Sequence, residues 1–320
     1  MIVGQNLIPR HPMKKYQTAL VTGGAGFIGS HITDALIRRR IKVYVVDDLS
    51  SGTVSNLNPN AHFTKISITS PQFVTYLKKL KPDVVFHCAA QVNLRNSLID
   101  PPNDATTNIL GTIHLAHTAA KIGVKKIIYS STGGAIYPET AKMPASEQVV
   151  PQPSSPYGIS KRTAEMYLHY EYHVHGMPYV ALRYANVYGP RQNAKGEAGV
   201  ITIFADHMTQ GHPVSIFGTG KQTRDYVYVE DVVRANMLAM THSVIGEINI
   251  GTGKETDVNT LFKKMAKLTG YTLPARYTPF IPGEMMKSSL NARKAKQLLG
   301  WVPKVKLDEG LTKTVAWFAK

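Results

Sequence analysis

Thr22-Gly23-Gly24-Ala25-Gly26-Phe27-Ile28-Gly29-Ser30-His31 is the stretch whose reading decides the fold. It follows the apolar run Thr18–Thr22 and opens a helical pattern over about 25–39. Gly23, Gly26 and Gly29 have the G-x-x-G-x-x-G spacing, a variant of the dinucleotide fingerprint. A tight turn and close approach to a pyrophosphate need residues without a Cβ, and the last glycine lets helix pack on strand. Free N–H groups and the dipole at the helix start then favour an anion. A glycine triplet alone is weak, because loops collect glycine. Here the preceding strand, the following helix and an acid at the next strand end agree.

That acid is Asp47, closing Lys42–Val46, about twenty residues downstream as a ribose-binding carboxylate should be. Asp48 follows it, with no arginine nearby in sequence. Two carboxylates repel a 2′-phosphate, so the expected cofactor is NAD rather than NADP. For Asp48 a solvated turn role stays open beside cofactor binding.

Outward from this stretch, β-branched runs alternate with helical patterns. Strands are expected at Val84–His87, Lys126–Ser130 and Tyr179–Arg183, and helices at about 71–80, 105–122 and 155–175. Apolar strands alternating with helices indicate an α/β, doubly wound parallel sheet covered on both faces. After Asn186 glycine and proline become frequent. A smaller C-terminal α/β substrate lobe is expected from 187–224 and 251–320, with 225–250 returning to the nucleotide-binding domain of 16–186. Residues 1–15 read as an extension, with Met13 a candidate start.

The 320 residues carry 37 Lys+Arg against 21 Asp+Glu, a net charge of +16. The basic residues fall in short groups such as Arg38-Arg39-Arg40 and Lys263-Lys264, which read as solvated helix faces. No aromatic-interleaved basic stripe argues for nucleic acid. No run reaches the roughly 18–20 apolar residues of a membrane span. A single cysteine, Cys88, excludes an internal disulfide and fits a reducing, cytoplasmic setting.

Tyr157-Gly158-Ile159-Ser160-Lys161 opens the helix after Ser130-Ser131-Thr132. Positions i and i+4 share a helix face, so phenol and ammonium can enter one site. Tyrosine with a pKa of about 10 is a poor base at neutrality, and a neighbouring lysine cation favours its phenolate.

These motifs, with HCAAQ at 87–91, Asn108, SSTGGAIY at 130–137, LRYANVYGPRQ at 182–192, TRDYVYVEDV at 223–232 and LGWVPKV at 299–305, resemble the extended short-chain dehydrogenase/reductase superfamily. Within it the chain is similar to the UDP-glucose (UDP-galactose) 4-epimerases. The resemblance implies a Rossmann domain with Gly23, Gly26, Phe27, Ile28, Gly29, Asp47, Asp48, Ala89, Ala90, Gln91, Asn108 and Ser130 around NAD. It implies Tyr157 as base, Lys161 as its partner, and Thr132 on the sugar O4, with Ser131 the runner-up. Asn186 and Arg224 would hold the diphosphate of a UDP-sugar, Phe217 the uracil and Glu284 the uridine ribose, with Val200 also at the substrate. Ser288 would set the space at C2, where its small size admits an N-acetyl group; a solvent-facing Ser288 is the alternative.

Related dehydratases carry an acidic pair after the threonine, where this chain has Gly133 and Gly134, so epimerisation through a 4-keto sugar is favoured over elimination. A nucleotide-sugar reductase or dehydrogenase with net redox turnover, and a silent NAD-binding protein, are the alternatives. Four positions depart from the epimerase pattern: Ser67 for an adenine-contacting Asp, Pro138 for Gly, Asn291 for Asp and Ile281 for a phosphate-binding Arg, a loss Lys287 is placed to offset. His169, His173 and His175 read as a surface or dimer-facing cluster, with no metal site expected. A homodimer is expected through helices 105–122 and 155–175.

Overall fold

The apolar runs become strands because they bury side chains on both faces. The computed structural model describes residues 16–194, 199–280 and 285–320, so Ile281, Glu284 and the expected extension over 1–15 lie outside the described residues. In chain order the elements of the first part are β1 (Thr18–Thr22), α1 (Phe27–Arg38), β2 (Lys42–Asp47), β3 (His62–Lys65), α2 (Pro71–Leu80), β4 (Val84–His87), α3 (Leu94–Ile99), α4 (Pro101–Ala105), α5 (Gly111–Ile122), β5 (Lys126–Thr132), α6 (Pro156–His175) and β6 (Tyr179–Tyr184). There follow β7 (Asn186–Tyr188), α7 (Val200–Thr209), β8 (Ser215–Phe217), β9 (Thr223–Tyr228), α8 (Val229–Thr241), β10 (Gly246–Ile250), β11 (Glu255–Asp257), α9 (Val258–Thr269), β12 (Arg276–Thr278), β13 (Lys287–Ser288), α10 (Arg293–Leu299) and α11 (Leu307–Phe318).

Among the described residues seven parallel strands pair in the order β10-β6-β5-β4-β1-β2-β3. Successive side chains point to opposite faces. Ala19, Val21, Val84 and Phe86 meet Ile32 and Leu36 of α1 and Val232 of α8 on one face. Leu20 and Val85 meet Phe73 of α2, Leu115 of α5 and Leu168 of α6 on the other. Each fully buried Leu, Ile or Phe contributes about 1.5–3 kcal/mol. Strand order reverses between β1 and β4, so a crevice opens beyond their carboxyl ends.

Local chemistry starts and stops the helices. Ser70 accepts the Phe73 N–H at the start of α2, and Ser155 accepts that of Gly158 at the start of α6, each followed by proline at the first helical position. Gly176 ends α6 at φ +67°, the left-handed conformation glycine tolerates best.

Two expectations need amendment. The helix expected over 105–122 is interrupted by a π turn at Thr106–Leu110, flanked by α4 and α5. The returning segment 225–250 divides between sheets. β10 joins the main sheet beside β6, and α8 packs on its face, but β9 belongs to a smaller sheet with β7, β11 and β13. That lobe has its own core, with Phe204, Met208, Ile216, Tyr228, Leu261 and Leu311. Buried Trp301 donates from Nε1 to the Asp231 carbonyl and fastens the C-terminal segment to α8.

Candidate active site

The glycine turn lies in the crevice between β1 and β4. Gly23 has φ +69°, and a Cβ there would fall 2.6 Å from the Ala89 nitrogen. A Cβ on Gly29 would fall 2.2 Å from the Gly23 carbonyl oxygen. Gly26 precedes α1 without a side-chain cap, and no acid occupies the first turn with Phe27 and Ile28, so its N–H groups face the crevice uncancelled. Asp47 ends β2 almost fully buried, accepting N–H bonds from Ala25 (3.0 Å) and Leu49 (2.8 Å). Burial lifts its carboxyl above the ordinary range, and those two bonds work against the rise. Asp48 is exposed and accepts the Ser50 N–H at 2.9 Å, the turn role left open above. A turn that admits no Cβ, an uncapped helix start and a carboxylate at the next strand end fit a bound dinucleotide.

The loop after β4 is held from below. The Ala89 N–H donates to Thr22 Oγ1, which lies 2.7 Å from His87 Nδ1; His87 Nε2 lies 3.0 Å from Thr112 Oγ1, which donates to the Asn108 carbonyl. Because the Thr112 proton is committed to that carbonyl, Nε2 carries the imidazole proton and Nδ1 accepts from Thr22. His87 is fully buried, and desolvation, helped by Lys161, brings its pKa down to about 3. Asn108 holds the loop from the π turn: its Oδ1 accepts the Gln91 N–H and its Nδ2 donates to the Gln91 carbonyl. Ala89 and Ala90 are thereby fixed half-buried beside the glycine turn.

Tyr157 and Lys161 project from the first turns of α6. Lys161 is 3% exposed; its ammonium donates to the Ser130 carbonyl at 3.0 Å and lies 5.8 Å from the Tyr157 ring centroid. Burial brings its pKa down to about 8. Ser130 Oγ contacts Cys88 Sγ, and burial pushes the Cys88 thiol up to about 11, so it is no nucleophile at neutrality.

At the end of β5 the two candidate hydroxyls separate. Ser131 is buried and donates to Glu165 Oε1 at 2.7 Å. Glu165 takes a two-pronged bond from Arg183, at 2.9 and 2.6 Å, and Arg183 also donates to the Tyr137 hydroxyl. The Thr132 side chain is half-buried and has no hydrogen-bond partner among the described residues. Sequence reasoning overlooked Glu165 and Arg183. Their signals were an acid eight residues after Tyr157 and an arginine inside an apolar strand.

Across the crevice stands the smaller lobe. A Cβ placed on Gly134 would lie 3.5 Å from Asn186 Oδ1, 3.9 Å from Thr132 Oγ1 and 4.0 Å from Ser288 Oγ, so these four positions surround one small space. Ser288 is 5% exposed, which removes the solvent-facing alternative. Its strand pairs with β9 in register with Arg224. A Cβ on Gly133 would strike Leu290 Cδ1 at 2.4 Å, leaving no room for an acid there. Phe217 lies under the Arg95 guanidinium, 5.5 Å away, and Val200 packs against the lobe core. A cleft of about 760 Å³ is lined by Pro138, Gly218 and Phe280.

The departures from the expected pattern have local roles. Ser67 Oγ meets Thr69 Oγ1, Asn291 Oδ1 accepts the Arg293 N–H, and Lys287 is exposed opposite Thr223. Asp225, also overlooked, is a buried knot that accepts from Thr252, Gly253 and Leu290 and anchors the turn between β10 and β11. No helix among the described residues is long and apolar enough to cross a membrane.

Known proteins share this fold. A crystal structure of UDP-glucose 4-epimerase with UDP-glucose from Thermotoga maritima is 52% identical, with TM-score 0.93 over 94% of this chain and 98% of that one. UDP-glucose 4-epimerase of Thermus thermophilus, solved with NAD, is 39% identical, with TM-score 0.89 over 94% of this chain and 98% of that one. UDP-N-acetylglucosamine 4-epimerase of Methanobrevibacter ruminantium, solved with UDP-N-acetylmuramic acid, is 35% identical, with TM-score 0.90 over 95% and 98%. Residues 19–251 match the profile of the NAD dependent epimerase/dehydratase family, and the chain belongs to that family.

Proposed function

We propose that this protein inverts C4 of a UDP-hexose, interconverting UDP-glucose and UDP-galactose through a 4-keto sugar. The observation that carries the reading is the juxtaposition of Tyr157, buried Lys161 and Thr132, unpartnered among the described residues, beside glycine at 133 and 134. Gly23, Gly26, Gly29, Asp47 and Lys161 would hold NAD, which supplies a reversible hydride acceptor for C4. Thr132 Oγ1 hydrogen-bonds the sugar O4 and aims it at Tyr157. The Tyr157 oxygen takes the O4 proton, aided by the Lys161 charge, and returns it after the keto sugar has turned. Lys161 makes one protein hydrogen bond among the described residues and keeps N–H donors for the nicotinamide ribose. Asn186 and Arg224 bind the diphosphate, and Phe217 packs on the uracil. With Gly134 where an acid would be needed, elimination lacks a proton-transfer group and the sugar leaves intact.

The small buried Ser288 beside Gly134 supports acceptance of an N-acetyl group at C2. A homodimer through α5 and α6 is supported by Ile159, Met166, Tyr167, Tyr170 and Val174, which form an exposed apolar stripe on α6. Lone Cys88 is consistent with a reducing cytoplasm.

The test is incubation with UDP-glucose and separately UDP-N-acetylglucosamine, with products resolved by NMR. The 4-epimers are expected, and Tyr157→Phe is expected to abolish turnover with NAD still bound. Stoichiometric NADH release would replace epimerisation with net redox chemistry, and absence of the acetylated product would remove the Ser288 assignment.

A further inference from the structure

Away from the crevice, α5 and α6 pack together and bring three side chains to one spot. Glu171 is 3% exposed, and its Oε1 lies 3.1 Å from His117 Nδ1. Its Oε2 is buried with no hydrogen-bond partner among the described residues; His175 Nε2 stands 3.7 Å away, within ion-pair range but beyond hydrogen-bond reach. A buried carboxylate oxygen left without a hydrogen bond is costly, and such oxygens in native proteins call for an explanation. One donor atom from each of His117, Glu171 and His175 lies within 4.8 Å of the others.

From this geometry we infer a divalent transition-metal site of the zinc class, with His117, Glu171 and His175 as its ligands. Two imidazoles and one carboxylate suit zinc, which binds them at about 2.0–2.2 Å in tetrahedral geometry. Ligand atoms in such a site are about 3.4 Å apart. Rotation of the two imidazoles, whose side chains are 43% and 38% exposed, closes that gap around the fixed carboxylate. In the single chain their exposure leaves a fourth position to water. Glu171 and His175 are four residues apart on one helix, so they share a face, and α5 supplies the third ligand. The histidine pair conspicuous in the sequence is a different one: the His169 and His173 rings meet edge to face with centroids 4.2 Å apart, and no third ligand joins them among the described residues.

The experiment is zinc titration of full-length, chelator-treated protein against a chromophoric competitor, with cobalt absorption reporting coordination geometry. One Zn²⁺ per chain is expected. His175→Ala and Glu171→Gln are expected to weaken binding at least about tenfold, a loss within the range seen for metal-site substitutions. His169→Ala/His173→Ala is expected to leave it unchanged. His175→Ala changes an exposed last-turn residue, so its folding is not in question, and far-UV circular dichroism checks the others. No stoichiometric uptake, or uptake that follows the 169/173 pair in place of the triad, would overturn the assignment.

Discussion

Glu165→Gln probes the support beneath the reactive strand. Glu165 is fully buried and Arg183 is 2% exposed, joined by bonds of 2.9 and 2.6 Å. Glutamine keeps the shape and removes the charge, so the guanidinium stays in the core without its counter-ion. Breaking one side of a buried pair costs about 3–5 kcal/mol. At about 2–4 °C per kcal/mol for large domains, the melting temperature is expected to fall by roughly 6–20 °C. Calorimetry on wild type, Glu165→Gln, Arg183→Met and the double variant gives the cycle. The double variant is expected to be less destabilised than the two single losses added together, because it leaves no buried guanidinium stranded, with a coupling of about 1–3 kcal/mol. In Arg183→Met the carboxylate keeps Arg162 at 3.0 Å. A fall below about 2 °C in Glu165→Gln, or strict additivity, would refute the claim that Glu165 and Arg183 form a coupled buried charge pair beneath Ser131.

Gly29→Ala is expected to fold but to weaken NAD binding at least about tenfold, about 1.4 kcal/mol, because its Cβ would meet the Gly23 carbonyl at 2.2 Å. Isothermal titration calorimetry measures this, and unchanged affinity counts against the cradle. His87 holds its native pKa near 3, so below about pH 6.5 the unfolded chain takes a proton that the folded chain refuses. Stability is therefore expected to fall as pH drops from about 6.5 toward 3, by up to about 1.4 kcal/mol per unit from this group. Denaturant titrations of wild type and His87→Gln should differ in that slope; parallel profiles contradict the assignment. Met166→Glu places a charge in the exposed stripe of α6 and is expected to shift sedimentation toward monomer. An unchanged sedimentation coefficient argues for another interface.

Much of the sheet was legible because its strands are buried on both faces and therefore continuously apolar. β3 escaped notice because His62-Phe63-Thr64-Lys65 is a half-exposed edge strand with one large apolar residue. The π turn escaped because Thr106–Leu110 carries no sequence signal separating it from an α-helix, and Asn108 binds a loop seventeen residues earlier in the chain. Local motifs announced the glycine turn and the Tyr157/Lys161 pair. The choice between Ser131 and Thr132 was not local: it depended on Glu165, thirty-four residues beyond Ser131. Likewise His117 gained meaning only when α5 packed on α6.

The position of β10 bears on how the chain is made. β6 ends at Tyr184 and its outer neighbour begins at Gly246, so the main sheet cannot close until that distant segment has left the ribosome. At roughly 5–20 residues per second, the 61 intervening residues take about 3–12 s to synthesise. Through that interval Tyr179–Tyr184, wholly buried in the finished protein, is an unpaired strand edge on the nascent chain. A holding chaperone has its clearest task there, and slowing translation between residues 185 and 246 should raise the yield lost to aggregation.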